Sequence, residues 1–280
     1  MAETLEYVNA AGTVLTLSSG DLRWMYGMDG RGIPPVAVDE TANRSGAGSV
    51  LTLLRSDART VQIPVVVTGD LRTVLRTAAT VMDPTLGDGR LVSQVDAAPE
   101  RELVCRYVGG LQWTEDQPTL MKQVIAFRAF DPFWRDTVDA TGSWTLGDTG
   151  VWLPFPPVKV VASDLFAAAA PDNDGDVEAW PVWTVSGPTT SVTLANVTTG
   201  RSLKVAVALT AGETLTIDTR PAAKTVVDQD GTNRFATLDS VIDDLFPFVR
   251  GVNTINITIA GGEGVTTEVA LAWRRRWLTV

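Results

Sequence analysis

At 280 residues, with 45% hydrophobic and 20% charged residues, the chain has the make-up of a globular protein and the length of two ordinary domains. Its net charge of −10 argues against stable nucleic-acid binding, and no apolar run nears the roughly 20 residues needed to span a bilayer, so membrane insertion is not expected. Histidine is absent, which excludes serine-histidine and cysteine-histidine nucleophile systems and most zinc sites and leaves only carboxylate chemistry open.

The first residues, Met1 to Glu6, are acidic where a signal peptide would be basic, so the chain is expected to stay in the compartment where it is made. Residues 30–49 then form a long stretch of glycine, proline, alanine, serine and charge with weak periodicity, which reads as an exposed loop. Loops this long in compact domains are usually functional, and in a self-assembling protein they order against a neighbour.

From Thr60 to Thr68, Val61, Ile63, Val65 and Val67 alternate with Gln62, Pro64, Val66 and Thr68, the pattern of a strand. Pro64 has no amide proton and predicts an edge or a bulge there. Asp70 caps a predicted helix with Leu71, Val74, Leu75, Ala78, Ala79 and Met82 on its buried face, ended by Pro84. Three strands follow, over 90–95, 100–108 and 120–130. The second carries the single cysteine, Cys105, read as a core thiol, and the third reads as covered at least partly on both faces.

Periodicity dissolves between about Thr137 and Pro157, where Gly142, Gly147, Gly150 and Pro154, Phe155, Pro156, Pro157 predict a stiff linker. The expected division is therefore a first domain over 1–138, a linker over 139–157 and a second domain over 158–280. Beyond the linker, short runs at 180–185, 191–197, 202–209, 213–219, 254–260 and 266–277 predict a two-sheet sandwich. The loop Gly261, Gly262, Glu263, Gly264 is expected to join the last two as a hairpin.

Few residues group as a chemical site. The cluster Asp172, Asn173, Asp174, Gly175, Asp176 opens like a calcium loop, but Val177 and Trp183 stand where the template needs glycine and a carboxylate, so a turn is the better reading. No carboxylate pair and no phosphate loop stands out, and no metal or cofactor is expected. Nine tryptophans motivate a second possibility, a carbohydrate-binding sandwich module for host attachment in which indoles stack on sugar rings, although core or subunit contact is the commoner use. The run Arg274, Arg275, Arg276 reads as a solvated strand edge or as a basic patch that meets an acidic neighbour.

One set of residues resembles a known family. Phe127, Arg128, Ala129, Phe130, Asp131, Pro132, Phe133, Trp134 closes the first domain as in distal tail proteins of long-tailed (siphovirus) bacteriophages. The strands before Asp70, the single helix, its end at Asp83 and Pro84, and the strand from Arg101 to Tyr107 follow the same order. Phe246, Pro247, Phe248, Val249, Arg250, Gly251, Val252, Asn253 is similar to that family's second domain.

The resemblance implies a mainly β chain: an N-terminal barrel or split barrel with one helix, then a galectin-like, carbohydrate-module-like β-sandwich. It implies a structural, non-enzymatic virion protein, made in the host cytoplasm and placed at the distal end of the tail. There it would form a homohexameric ring between the tail tube protein and the tail tip, tail-associated and tape-measure proteins. A tube or other baseplate protein of related architecture is the weaker neighbour of this reading. Gly30, Pro34, Pro35, Asn43, Arg44 and Gly46 become candidate assembly residues. Removing Pro35 to Gly46 is expected to leave the fold intact and yield monomers.

Overall fold

Strand periodicity sorts the buried side chains into two separate cores. The computed structural model of the chain describes residues 3–112, 119–145, 165–221, 223–238, 245–261 and 267–280. It divides into one unit of residues 1–137 with 277–280 and another of 138–276.

The first unit contains β1 (Glu3–Val8), β2 (Val14–Thr16), β3 (Leu22–Trp24), β4 (Val36–Ala42), β5 (Ser49–Ser56), β6 (Arg59–Thr68), α1 (Leu71–Val81), β7 (Gly89–Val95), β8 (Arg101–Gly109), β9 (Leu120–Ala129) and β10 (Trp134–Asp136). An antiparallel sheet runs in the order β2-β1-β7-β8-β9-β6-β3. Its two edges approach through Leu17, whose N–H donates to Leu5 and whose carbonyl accepts from Trp24, both at 2.8 Å, so the sheet is a nearly closed barrel. Val61, Ile63, Val65 and Val67 all point into its core, with Leu5, Leu91, Leu103, Ile125 and Phe127.

The helix begins as expected: Asp70 accepts from the Thr73 hydroxyl at 2.6 Å and the Thr73 N–H at 3.4 Å, which holds its carboxyl below the usual range. Leu71, Ala78, Val81 and Met82 are buried against the barrel. Ala79, expected inside, is exposed. Ala79 and Val81 flank the apolar stripe on opposite sides, and the larger side chain is the one buried.

Pro64 lies in an interior strand rather than at an edge, because β6 pairs with both β9 and β3. β3 ends at Trp24, however, and Pro64 follows that end, so no partner strand lacks its amide; its carbonyl still accepts from Met25 at 2.7 Å. The outward face of β9 also differs from expectation, since Val124, Arg128 and the following Phe130 are exposed.

The second unit holds β11 (Ala140–Thr145), β12 (Leu165–Ala169), β13 (Asp172–Asn173), β14 (Val182–Ser186), β15 (Ser191–Asn196), β16 (Arg201–Val205), β17 (Thr214–Asp218), β18 (Thr225–Asp228), β19 (Gly251–Val252), β20 (Ile255–Ala260) and β21 (Glu268–Trp273). β22 (Arg276–Trp277) follows, where the chain re-enters the first unit. The sheets β11-β21-β14-β17-β18 and β12-β20-β15-β16 share one core as a sandwich. Phe248 meets Trp183 and Trp273 edge-on there, at 6.0 and 5.7 Å between ring centroids.

Three sequence expectations are corrected. Residues 140–145 are not linker but β11, an edge strand paired with β21 through six residues; small Gly142 and hydroxyl-bearing Thr141, Ser143 and Thr145 hide its alternation. The final four residues, placed in the second domain by sequence, count with the first. β20 and β21 form no hairpin, because they lie in opposite sheets of the sandwich. The loop residues Gly262, Glu263 and Gly264, and the linker residues Gly147, Gly150 and Pro154 to Pro157, lie outside the described residues.

Candidate assembly surface

The stretch 30–49, expected as an irregular loop, contains one strand of a two-stranded arm. β4 and β5 pair from Val36↔Ser56 to Ala42↔Ser49, with a bulge between Asp39 and Glu40, and every residue but the half-buried Ala37 is exposed. Pairing register sorts its faces. Val36, Val38, Leu51 and Leu54 share one face with Glu40, whose carboxylate accepts from Ser49; Leu53 and Val50 share the other with Asp39, Arg55 and the bonded Thr41 and Thr52 hydroxyls. Val50 is 63% exposed and Leu54 61%. Branched aliphatics therefore lie uncovered on both faces of the ribbon, an exposed apolar surface of the kind that marks candidate interaction sites.

The base of the arm is fixed. Asp29 and Gln62 exchange backbone hydrogen bonds, and the Asp57 N–H donates to the Pro35 carbonyl at 2.7 Å, closing the ribbon. Gly30 sits at φ +81°, and a Cβ there would lie 2.1 Å from the Thr60 carbonyl oxygen, so only glycine fits. Arg59, 1% exposed, reaches across this foot. It donates to the carbonyls of Gly30 at 3.3 Å, Gly32 at 2.9 Å and Leu278 at 2.9 Å. Burial pulls its guanidinium down to about 10, a shift that Asp131 opposes.

The same foot receives the chain's last residues. The Trp277 indole donates to Asp136 at 2.7 Å and lies 4.1 Å beneath the Arg101 guanidinium, which donates to the Thr279 carbonyl at 2.8 Å. Trp277 and Val280 pack against the barrel core.

Of the candidate assembly residues, Asn43, Arg44 and Gly46 form the arm's tip, where Asn43 accepts from Ser45. Gly30 and Pro34 belong to its foot, Pro34 buried and Pro35 exposed. Sequence reasoning missed Val50, Leu51, Leu53, Leu54 and Arg59. The apolar run Ser49 to Ser56 was the available signal, opposite the alternating Val36 and Val38.

The aromatic signature is mostly structural. Phe127, Pro132 and Trp134 are buried, Phe133 half-buried, and Phe130 exposed, while Asp131 faces Arg59 electrostatically. In the second unit Pro247 is buried and Gly251 turns at φ +86°. Asn253 holds that turn by accepting from Val249 at 3.0 Å and donating to the carbonyls of Val249 at 2.8 Å and Gly251 at 2.9 Å.

Two features read separately in the sequence prove to be partners. Asp174 of the acidic turn pairs with Arg275 at 3.4 Å, Arg274 with Asp139 at 2.6 Å, and Arg276 donates to the Glu178 carbonyl at 3.2 Å. Asn173, fully buried, donates to Val177 and shapes the turn. The arginine run thus finds acidic and carbonyl partners inside its own unit. Among the described residues no three acidic or thiol groups converge as metal ligands. Trp134, Trp183 and Trp273 are buried and Trp24, Trp144, Trp180 and Trp277 half-buried; Trp113 and Trp152 lie outside the described residues. Cys105 is 1% exposed, and burial pushes its thiol up to about 12.

Comparison with known proteins bears on this arrangement. Residues 174–277 match the family described as siphovirus-type tail component, C-terminal domain. The fold is similar to that of the Dit protein of phage SPP1, described as a paradigm of the hub adsorption apparatus in Gram-positive infecting phages: TM-score 0.72 and 15% identity over 99% of each chain. It is also similar to a chain of the phage P2 baseplate in its activated conformation with Ca, at TM-score 0.57 and 10% identity over the full length of both. No curated protein matches the chain by sequence.

Proposed function

From the match of residues 174–277 to the siphovirus-type tail component family and the whole-chain fold similarity to Dit, we propose that this protein is a distal tail protein. In this reading it is a structural virion component that catalyses nothing. Its first unit forms a homohexameric ring between the tail tube and the tail tip or baseplate, where it meets the tube, tape-measure and tail-associated proteins.

The observation that carries the proposal is the arm. A two-stranded ribbon is marginal in water by itself, and this one exposes aliphatics on both faces while its foot is pinned by Arg59. Such an element is costly to a monomer and useful in a rotationally symmetric assembly. The carbohydrate-binding alternative is the weaker reading, because of the seven described tryptophans that motivated it three are buried in the cores and the other four are half-buried.

Light scattering and negative-stain imaging of the concentrated protein test the reading, with a hexameric ring as the expected result. Deleting only Pro35 to Gly46 would strand β5 without its partner. The cleaner variant replaces Val36 to Ser56 with a short linker between Pro35 and Asp57, which are already hydrogen-bonded. It should stay folded and monomeric. Rings from that variant, or a wild-type chain that never leaves the monomer, would overturn the proposal.

A further inference from the structure

The arm is not the first unit's only uncovered apolar surface. On the outward face of β6 and β9, Pro64 stands opposite Val124, and Val108 lies at the adjoining β8 bulge. Tyr26, 95% exposed, follows Met25, whose N–H is bonded to the Pro64 carbonyl. Val108 and Val124 are exposed as well. Around this apolar centre stand the exposed Arg23, Lys122 and Arg128, and the outward positions of β6 and β9 carry no carboxylate in a protein whose net charge is −10.

The arm face bearing Val36, Val38, Leu51 and Leu54 is the complement of that patch. It is apolar, and its one ionisable group is the carboxylate of Glu40. An arm of seven or eight residues reaches about 25 Å, within the roughly 33 Å that the ten residues of β6 span. The arm does not cover the patch of its own subunit, because both are exposed together.

Resting on the ring reading above, we infer that the outward face of β6 and β9 is the seat for the arm of a second copy of this chain. Each subunit gives its arm to one neighbour and receives another. Because arm and seat are unlike surfaces, the contact is heterologous, the kind that repeats around a rotation axis until it closes. Opposite charge at the rim, Glu40 against Lys122 and Arg128, selects the register.

Two variants test this in mixture. Leu51→Asp with Leu54→Asp disables the arm; Val124→Glu with Lys122→Glu disables the seat. All four positions are exposed, and circular dichroism with thermal melting checks that each variant folds. Each alone should be monomeric, and an equimolar mixture should give a dimer, since one intact arm and one intact seat remain. A seat variant that still forms rings would reject the seat while leaving the ring reading intact. A wild-type chain that stays monomeric would reject both. As a second measurement, Leu54→Cys with Val124→Cys in one chain should give a ladder of disulfide-linked subunits under mild oxidation, undisturbed by the buried Cys105. Rings that yield no ladder would place the arm elsewhere.

Discussion

Two hairpins in this chain share their pairing and nearly their length, and differ in what covers them. β15 and β16 pair Val192 with Val205 and Leu194 with Leu203, all four buried, while Thr193 and Lys204 look outward. β4 and β5 pair Val38 with Leu54 and Asp39 with Leu53, and all four are exposed. Cross-strand pairing makes both ribbons. In the sandwich the opposite sheet supplies the free energy; in the arm the foot supplies position, and under the ring proposal the cover comes from a neighbouring molecule.

Core truncation in the sandwich should show the largest effect. Trp183→Ala removes a fully buried indole wedged against Phe248 and should destabilise the second unit by about 3–5 kcal/mol, read by urea denaturation. A loss below about 1 kcal/mol would mean that the comparison misjudges where stability resides.

Arg59 sharpens the comparison from the arm's side. Arg59→Ala leaves the carbonyls of Gly30, Gly32 and Leu278 without their donor and opens a cavity, and should cost the first unit about 2–4 kcal/mol. Hydrogen exchange at the foot of the arm should rise with it. A chain shortened at Arg276 should resemble this variant, because it loses both the Leu278 acceptor and the Trp277 packing.

What the sequence disclosed divides along the same line. Regular alternation over 60–68 and the three-four spacing over 71–82 announced the strand and the helix, because one face of each meets a core. The arm was legible only as a loop, since an element without a core has no single apolar face: Val36 and Val38 alternate, but the facing strand puts Leu51 and Leu54 on one side and Val50 and Leu53 on the other. The partnership of Arg275 with Asp174, and of Arg59 with Leu278, joins residues far apart in the chain, which local periodicity cannot encode. Gly251 and Asn253 were recognisable as a signature, but that Asn253 holds a turn emerges only from its hydrogen bonds.

A smaller effect is expected on the alkaline side, and it is confined to the barrel. The folded unit keeps the protons of the Cys105 thiol and the Tyr7 phenol up to about 12, against ordinary values of 9.0 and 10.0, so their contribution is full below pH 9 and is lost as pH rises. Arg59 works oppositely: its folded value near 10 lies below the ordinary 12.5, so its contribution grows with pH, but only from about 10 upward. Between pH 9 and 10 the thiol therefore dominates, with a slope approaching about 1 kcal/mol per pH unit. Urea titrations at pH 8, 9 and 10 should show this decline, and Cys105→Ala should flatten it. An unchanged slope in that variant would assign the alkaline loss to other groups.

The smallest stability effect belongs to the arm, and there smallness is the point. Leu53→Ser with Leu54→Ser removes two aliphatic side chains from opposite faces of an element that buries neither, so the monomer's midpoint should move by no more than about 0.5 kcal/mol. The same two changes in β15, Val192→Ser with Leu194→Ser, should cost several kcal/mol, since both side chains leave a closed core. If the ring reading holds, assembly responds in the reverse order: the arm variant loses its oligomer at a concentration where wild type is assembled, and whatever β15 variant remains folded keeps it. Light scattering beside urea denaturation on the same four proteins, wild type, both variants and their combination, separates the two kinds of apolar residue. An arm variant that unfolds like the core variant would show that the ribbon is already packed within its own subunit, and would remove the physical ground for assigning it to a neighbour.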